Sequence, residues 1–157
     1  MVTKIVIDTN VFISVLIGQS ESASRELFRQ CLQGKYQPLM GNALLAEYLD
    51  VVNRDNITNL CPLTNVEKTN LLAAFMSVCQ WIRVYYLWRP RRARSLASYA
   101  DAGSLVNLPD EADNHLIELA VAGNAQIIAT RNIKDFKRSQ LKFPQLKIFK
   151  PEEVLNY

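Results

Sequence analysis

Short apolar runs alternate with helical patterns along most of the chain. The first run, residues 4–7, is mainly β-branched and ends at the turn Asp8-Thr9-Asn10, after which a helix is expected with Thr9 or Asn10 as its cap. Four later runs have the character of strands: residues 37–40, 81–86, 126–129 and 146–149. Because strands that alternate with helices favour a covered parallel sheet, the predicted fold is a three-layer α/β/α sandwich. Its central sheet should be mostly parallel, with four to five strands.

Apolar residues at helical spacing predict the elements between these strands. Ser22 or Ser24 is expected to cap the second helix, and Thr64 with Glu67 forms the capping-box pattern that begins a later one. Residues 53–64 are polar and rich in turn-forming residues, so they are predicted to be a connection.

The stretch of residues 91–106 has a different composition from its surroundings. It begins within a basic run and continues with Ser, Ala and Gly and few apolar residues. Its arginines are able to bind phosphates, but a run of this kind is more often a solvated, flexible insertion. The prediction is a single domain over residues 1–157 with a surface insertion at 91–106.

Composition sets only broad limits. The chain of 157 residues is 49% hydrophobic and 21% charged, which is ordinary for one globular domain. The net charge of +3 permits an anionic partner without requiring one. Three cysteines without paired metal spacing indicate reduced thiols and argue against zinc, and no apolar run is long enough to span a bilayer. A soluble, cytoplasmic protein is therefore expected.

Asp8 is the first candidate site residue. It follows the first predicted strand directly, and ligands of open α/β sheets bind at the carboxyl ends of the strands. The turn at Thr130 to Asn132 follows another predicted strand and should lie at the same edge. A plain helix cap is the simpler role for an aspartate at this position, and both roles remain open on this segment alone.

Two further acids lie on helix faces that should be buried. Glu47 shares a stripe with the apolar residues at 44, 48 and 51, and Asp113 shares a face with those at 116, 117 and 120. Simpler roles exist for both: Glu47 could reach water from the margin of its stripe, and Asp113 could complement the helix dipole. Glu118 is predicted to point away from the core, and His115 is expected to be exposed and without a catalytic role.

These acids together suggest a cation. Carboxylates that converge without a lysine on the same stripes raise one another's pKa unless a cation neutralises them. Ligands that are all oxygens, with no His or Cys cluster, favour Mg²⁺ or Mn²⁺ over zinc.

Three segments and Glu47 carry a family resemblance. The segments are IDTNVF at residues 7–12, DNHLIELA at 113–120 and IIATRNIKDF at 127–136. In this order they resemble the PIN domain family over nearly the whole chain apart from residues 91–106. Within that family the chain is similar to the bacterial toxin components of toxin–antitoxin pairs, the VapC-type ribonucleases.

The resemblance implies a Mg²⁺- or Mn²⁺-dependent endoribonuclease that hydrolyses RNA, forms a homodimer and is silenced by a partner antitoxin. Asp8, Glu47 and Asp113 match the three core acids of the family and would be the catalytic metal ligands, and Asp110 matches an additional acid. Four residues would line the site: Thr9, Asn10, Thr130 and Asn132. Four basic residues would neutralise the RNA backbone: Arg131, Lys134, Lys137 and Arg138.

The position of Asn132 departs from the family pattern, because many members have a fourth acid there. Whether one or two metal ions bind therefore stays open. The same departure, with the insertion close before Asp113, leaves an alternative of another class, which is a catalytically weakened PIN-like module that binds RNA or a protein.

Overall fold

The computed structural model describes residues 2–18, 22–84, 111–136 and 143–157, and at 111–114 and 135 it describes the backbone alone. The predicted insertion at 91–106 lies outside the described residues, as do Asp110, Lys137 and Arg138. The backbone of Asp113 is described, but its side chain is not.

Within the described residues the sheet has five strands, and every pairing between neighbours is parallel. In chain order the strands are β1 Thr3–Ile7, β2 Tyr36–Met40, β3 Gln80–Trp81, β4 Ile127–Ala129 and β5 Lys147–Phe149. Their spatial order is β3-β2-β1-β4-β5, so β1 is central. The predicted parallel α/β/α architecture is confirmed. The strand predicted at 81–86 begins one residue earlier and pairs over two residues, and residues 85 and 86 lie outside the described part.

Helices flank this sheet. They are α1 Thr9–Ile17, α2 Ala23–Leu32, α3 Asn42–Val52, α4 Asp55–Leu60, α5 Asn65–Val78, α6 Glu111–Ala122 and α7 Pro151–Leu155, with a 3₁₀ helix at Ile133–Phe136. Ser22 caps α2 by accepting a hydrogen bond from the backbone of Arg25, and Thr64 and Glu67 form the predicted capping box. None of the helices described combines the length and apolar character that crossing a membrane requires.

The predicted connection over residues 53–64 is wrong, because it contains α4. One buried apolar side chain, Ile57, holds this short helix to the core. The fully buried Lys68 on α5 contributes as well: its ammonium donates to the carbonyl oxygen of Val52 at 3.0 Å and to the hydroxyl of Thr58 at 2.9 Å. The lysine therefore joins the end of α3 to α4 and α5.

A stack of aromatic rings fixes α3 beneath the central strand. Tyr48 lies 4.6 Å from Phe12 between ring centroids, and the stack extends to Phe28 and Phe75. The buried hydroxyl of Tyr48 donates to the carbonyl oxygen of Ile7 at 2.7 Å. Helix α3 is thereby held against Ile7, the last residue of β1, which directly precedes the candidate acid Asp8.

Candidate active site

Asp8 lies at the carboxyl end of the central strand with 8% of its surface exposed. Its backbone N–H donates to the carbonyl oxygen of Ala129 at 2.9 Å, which ties it to β4. Asp8, and not Thr9 or Asn10 as predicted, is the residue before α1, yet its side chain makes no capping hydrogen bond. The carboxylate instead accepts a hydrogen bond from the hydroxyl of Thr130, with 2.8 Å between Oδ2 and Oγ1. A plain helix cap does not describe this side chain.

The hydroxyl of Thr130 connects two turns at this edge of the sheet. It accepts hydrogen bonds from Nδ2 of Asn10 at 3.3 Å and from the backbone N–H of Asn132 at 3.1 Å. Oδ1 of Asn10 in turn accepts from the backbone N–H of Arg131 at 3.1 Å. Because Asn10 and Asn132 donate to both lone pairs of this hydroxyl oxygen, its hydrogen is donated to the carboxylate of Asp8. Three of the four predicted site-lining residues therefore act together around one aspartate.

Glu47, on α3, has both carboxylate oxygens bound. Oε2 accepts from the hydroxyl of Thr9 at 2.8 Å, and Oε1 lies 2.8 Å from Nε2 of His115. The side chain is 39% exposed, so it lies at the margin of its stripe but is held in place there. Thr9, the fourth predicted site-lining residue, thus binds the second acid.

The prediction that His115 is exposed is wrong, because only 11% of its side chain is exposed. The prediction that Glu118 points away from the core is also wrong, since that residue is 6% exposed. Residues 116–120 of α6 are all buried, so this helix is covered on two faces and not on one stripe. Leu119 is apolar and lies four residues after His115, so the sequence itself indicates that the face of α6 carrying His115 is buried.

The two described carboxylates have pKa values displaced in opposite directions. Burial raises the pKa of Asp8, and repulsion from Glu47 adds to the rise, against the hydrogen bonds from Thr130 and the backbone of Thr9. Burial is the largest single influence on the pKa of Glu47 and would raise it, but the hydrogen bonds from His115 and Thr9, together with electrostatic attraction to His115 and Arg54, leave that pKa lowered. Without a cation, ionised Asp8 is therefore the unfavourable charge of the pair.

The donor set fits a hard divalent cation. Asp8 and Glu47 supply carboxylate oxygens near one another, and a cation there would offset the burial and the repulsion at Asp8. Among the described residues, no group of three or more His, Cys, Asp or Glu residues is arranged to hold a metal ion, and the third predicted acid, Asp113, has no described side chain. Its backbone lies on α6 two residues before His115, whose ring contacts Glu47, so the start of α6 lies at this edge.

The two described basic residues among those predicted to bind RNA, Arg131 and Lys134, occupy different environments. The guanidinium of Arg131 donates to the buried hydroxyl of Ser24 at 2.7 Å and lies 3.4 Å from a carboxylate oxygen of Glu152, with 37% of the side chain exposed. Lys134 is exposed on the 3₁₀ helix and forms no ion pair with a described residue. Among the described residues, Arg131 therefore has side-chain contacts that Lys134 lacks.

A parallel sheet with paired carboxylates at the carboxyl end of its central strand defines an α/β protein with an acidic site. Comparison with known proteins is consistent with this class: the PIN domain profile matches residues 4–134. The chain belongs to the PIN domain family. The resemblance in its sequence motifs is thereby confirmed.

A solved structure shows the same fold. In the crystal structure of VapBC2 from Rickettsia felis bound to a DNA fragment from their promoter, one chain matches with a TM-score of 0.56 and 18% sequence identity. The match covers 93% of this chain and 97% of that chain. No curated protein gave a significant match.

Proposed function

We propose that this protein is a metal-dependent endoribonuclease and the toxin component of a toxin–antitoxin pair. The observation that carries the proposal is the pairing of Asp8 and Glu47 at the carboxyl end of β1, each bound by a threonine hydroxyl. Family membership supports the same activity, and the fold shared with a chain of VapBC2 supports the VapC type.

In this proposal Asp8, Glu47 and Asp113 hold Mg²⁺ or Mn²⁺, with Asp110 as an additional acid. A bound ion would supply a water of lowered pKa and would neutralise charge at the scissile phosphate. Thr130 orients Asp8 and Thr9 orients Glu47 through the hydrogen bonds described above. These contacts hold both carboxylates in place, so that binding a cation would require little reorganisation of their side chains.

Four basic residues are proposed to contact the RNA backbone: Arg131, Lys134, Lys137 and Arg138. They stand close in sequence to the Thr130 turn, which would place RNA phosphates near the acidic site. We further propose a cognate antitoxin as partner, a homodimer as the assembly and the cytoplasm as the place of action.

Cleavage of single-stranded RNA with and without Mn²⁺ tests the activity. We expect metal-dependent cleavage by the natural protein and none by Asp8→Asn. The matched control is Asp55→Asn, which removes an exposed carboxylate on α4 and should leave cleavage unchanged. RNA binding without cleavage by the natural protein would instead favour the RNA-binding module.

A further inference from the structure

The hydrogen bond between His115 and Glu47 joins two helices that are far apart in sequence. His115 is on α6 and Glu47 on α3, and their contact atoms lie 2.8 Å apart. We propose that His115 is a positioning residue that fixes the carboxylate of Glu47 in the orientation needed to bind a divalent cation. This inference rests on the proposed function, because it takes Glu47 as a ligand.

The chemistry of the contact decides which atom donates. A carboxylate has no hydrogen to offer when ionised, so Nε2 of His115 must carry the proton in this hydrogen bond. Thr9 holds the other oxygen of Glu47. With one donor alone the carboxylate could rotate about that bond, whereas two donors from different helices fix its plane.

Glu47 has more need of such support than Asp8. Its side chain is longer and 39% exposed, so ordering it costs more conformational entropy than ordering a short, buried aspartate. Hydrogen bonds to an ionised acceptor are stronger than neutral ones, which suits them to this task. Outer partners of this kind orient the ligands of metal sites.

A role in packing alone does not account for His115. Its second ring nitrogen, Nδ1, is buried and has no hydrogen-bond partner in the described part of the chain. An unsatisfied buried polar atom is unfavourable, so an apolar side chain would serve better if packing were its whole purpose. The ring also lines a cavity of about 220 Å³ with Leu44 and Leu119, which leaves room for a leucine at position 115.

Three substitutions separate positioning from packing. His115→Leu removes the donor and keeps an apolar side chain of similar size. His115→Gln restores an N–H donor whose nitrogen lies four bonds from the Cα atom, as Nε2 does in histidine. The donor nitrogen of His115→Asn lies one bond closer to the Cα atom and therefore does not reach the same position. Gln should therefore rescue the function of the histidine, and Asn should not.

The measurement is calorimetric titration with Mn²⁺ in the absence of RNA, beside thermal melting in a chelator. We expect His115→Leu and His115→Asn to bind Mn²⁺ about 10- to 100-fold more weakly than the natural protein, and His115→Gln to bind within a few-fold of it. His115→Leu should melt in chelator at or above the natural protein. If it fails to fold, the comparison of Gln with Asn decides the question.

Equal Mn²⁺ affinity in all four proteins would overturn the positioning role, as would equal losses in the Gln and Asn variants. Absence of Mn²⁺ binding by the natural protein would overturn both this role and the proposed function. RNA cleavage separates the two proposals, since the natural protein and His115→Gln could bind metal as expected and still leave RNA intact. That result would contradict the proposed ribonuclease activity. The Mn²⁺ affinities of the variants would still support the positioning role of His115.

Discussion

At the scale of single residues, the two described acids of the site differ through their surroundings. Asp8 is buried with one hydroxyl donor on its carboxylate, whereas Glu47 is half-exposed with a donor on each oxygen. Burial decides the direction of the pKa shift at Asp8, whereas at Glu47 the hydrogen bonds and the attraction to His115 and Arg54 together exceed the effect of burial. Asp8 is therefore the acid whose charge destabilises the fold when no metal is present.

Asp8→Asn should consequently melt at or above the natural protein at neutral pH in a chelator. Because burial raises the pKa of Asp8 above its ordinary value of 3.8, this group favours the folded state below that value and loses its contribution as the pH rises through the raised pKa. The difference in melting temperature between Asp8→Asn and the natural protein should thus grow as the pH rises and vanish in acid. Melting curves over a pH series in chelator measure it, with Asp55→Asn as the exposed control. A variant that melts well below the natural protein at neutral pH would mean that the charge is structural.

Asn132→Asp tests the acid missing from the family pattern. The backbone of Asn132 binds the Thr130 hydroxyl, so an aspartate there adds a charge close to Asp8. We expect tighter Mn²⁺ binding without RNA, because a carboxylate attracts the ion, and lower stability in chelator, because it repels Asp8. Calorimetric titration measures the Mn²⁺ affinity, and thermal melting in chelator measures the stability. Unchanged affinity and stoichiometry would show that position 132 does not face the metal.

At the scale of elements, the sequence predicted what depends on local pattern. The sequence predicts β1 from its β-branched run, the cap of α2 at Ser22 and the capping box of Thr64 and Glu67. These features are predictable because strand patterns and helix caps involve residues that are neighbours in sequence. The sequence does not predict α4, because this polar segment carries a single buried anchor, Ile57. Lys68 lies four residues before Leu72 on the buried stripe of α5. A lysine there contradicts the pattern until its acceptors on other helices are known.

The hydroxyl of Tyr48 is predicted to stabilise the junction of α3 and β1. Tyr48→Phe keeps the ring stack but removes the buried hydrogen bond to Ile7, at a cost of about 1–2 kcal/mol. For a chain of this size that is a fall in Tm of roughly 2 to 8 °C. Tyr36→Phe is the matched control, because its longer bond of 3.2 Å to the Val154 carbonyl is only part-buried. Equal changes in Tm for the two variants would contradict the special role of Tyr48.

At the scale of the whole molecule, the site is assembled by long-range contacts. Strands β1 and β4 bring Asp8 to Thr130, while α3 and α6 bring Glu47 to His115. Sequence patterns assigned Asp8 and Glu47 to the right elements, because a strand end and a buried stripe are local features. They do not reveal which side chains meet, which is why the sequence predicts an exposed His115 although its side chain is only 11% exposed. The contact of α6 with α3 depends on packing around the whole sheet.

The proposed RNA-binding surface allows a prediction that separates the effect of charge on RNA affinity from its effect on stability. Lys134→Ala removes an exposed cation that forms no ion pair among the described residues. We expect unchanged stability, weaker binding of single-stranded RNA and a salt dependence of log Kd that is shallower by about 0.7. Binding is measured in chelator over a salt series, so that cleavage does not interfere.

Arg131→Ala should behave differently, because this guanidinium also holds Ser24 and Glu152. Loss of its hydrogen bond to the buried Ser24 hydroxyl should cost about 1–3 kcal/mol, which is a fall in Tm of roughly 2 to 12 °C in a chain of this size. The Asn10 contact uses the backbone of Arg131 and survives the substitution, but the turn that carries it loses its anchor to α2. The variant should therefore lose both stability and RNA affinity. If Lys134→Ala leaves the salt dependence unchanged while Arg131→Ala lowers stability alone, RNA does not follow this edge of the sheet.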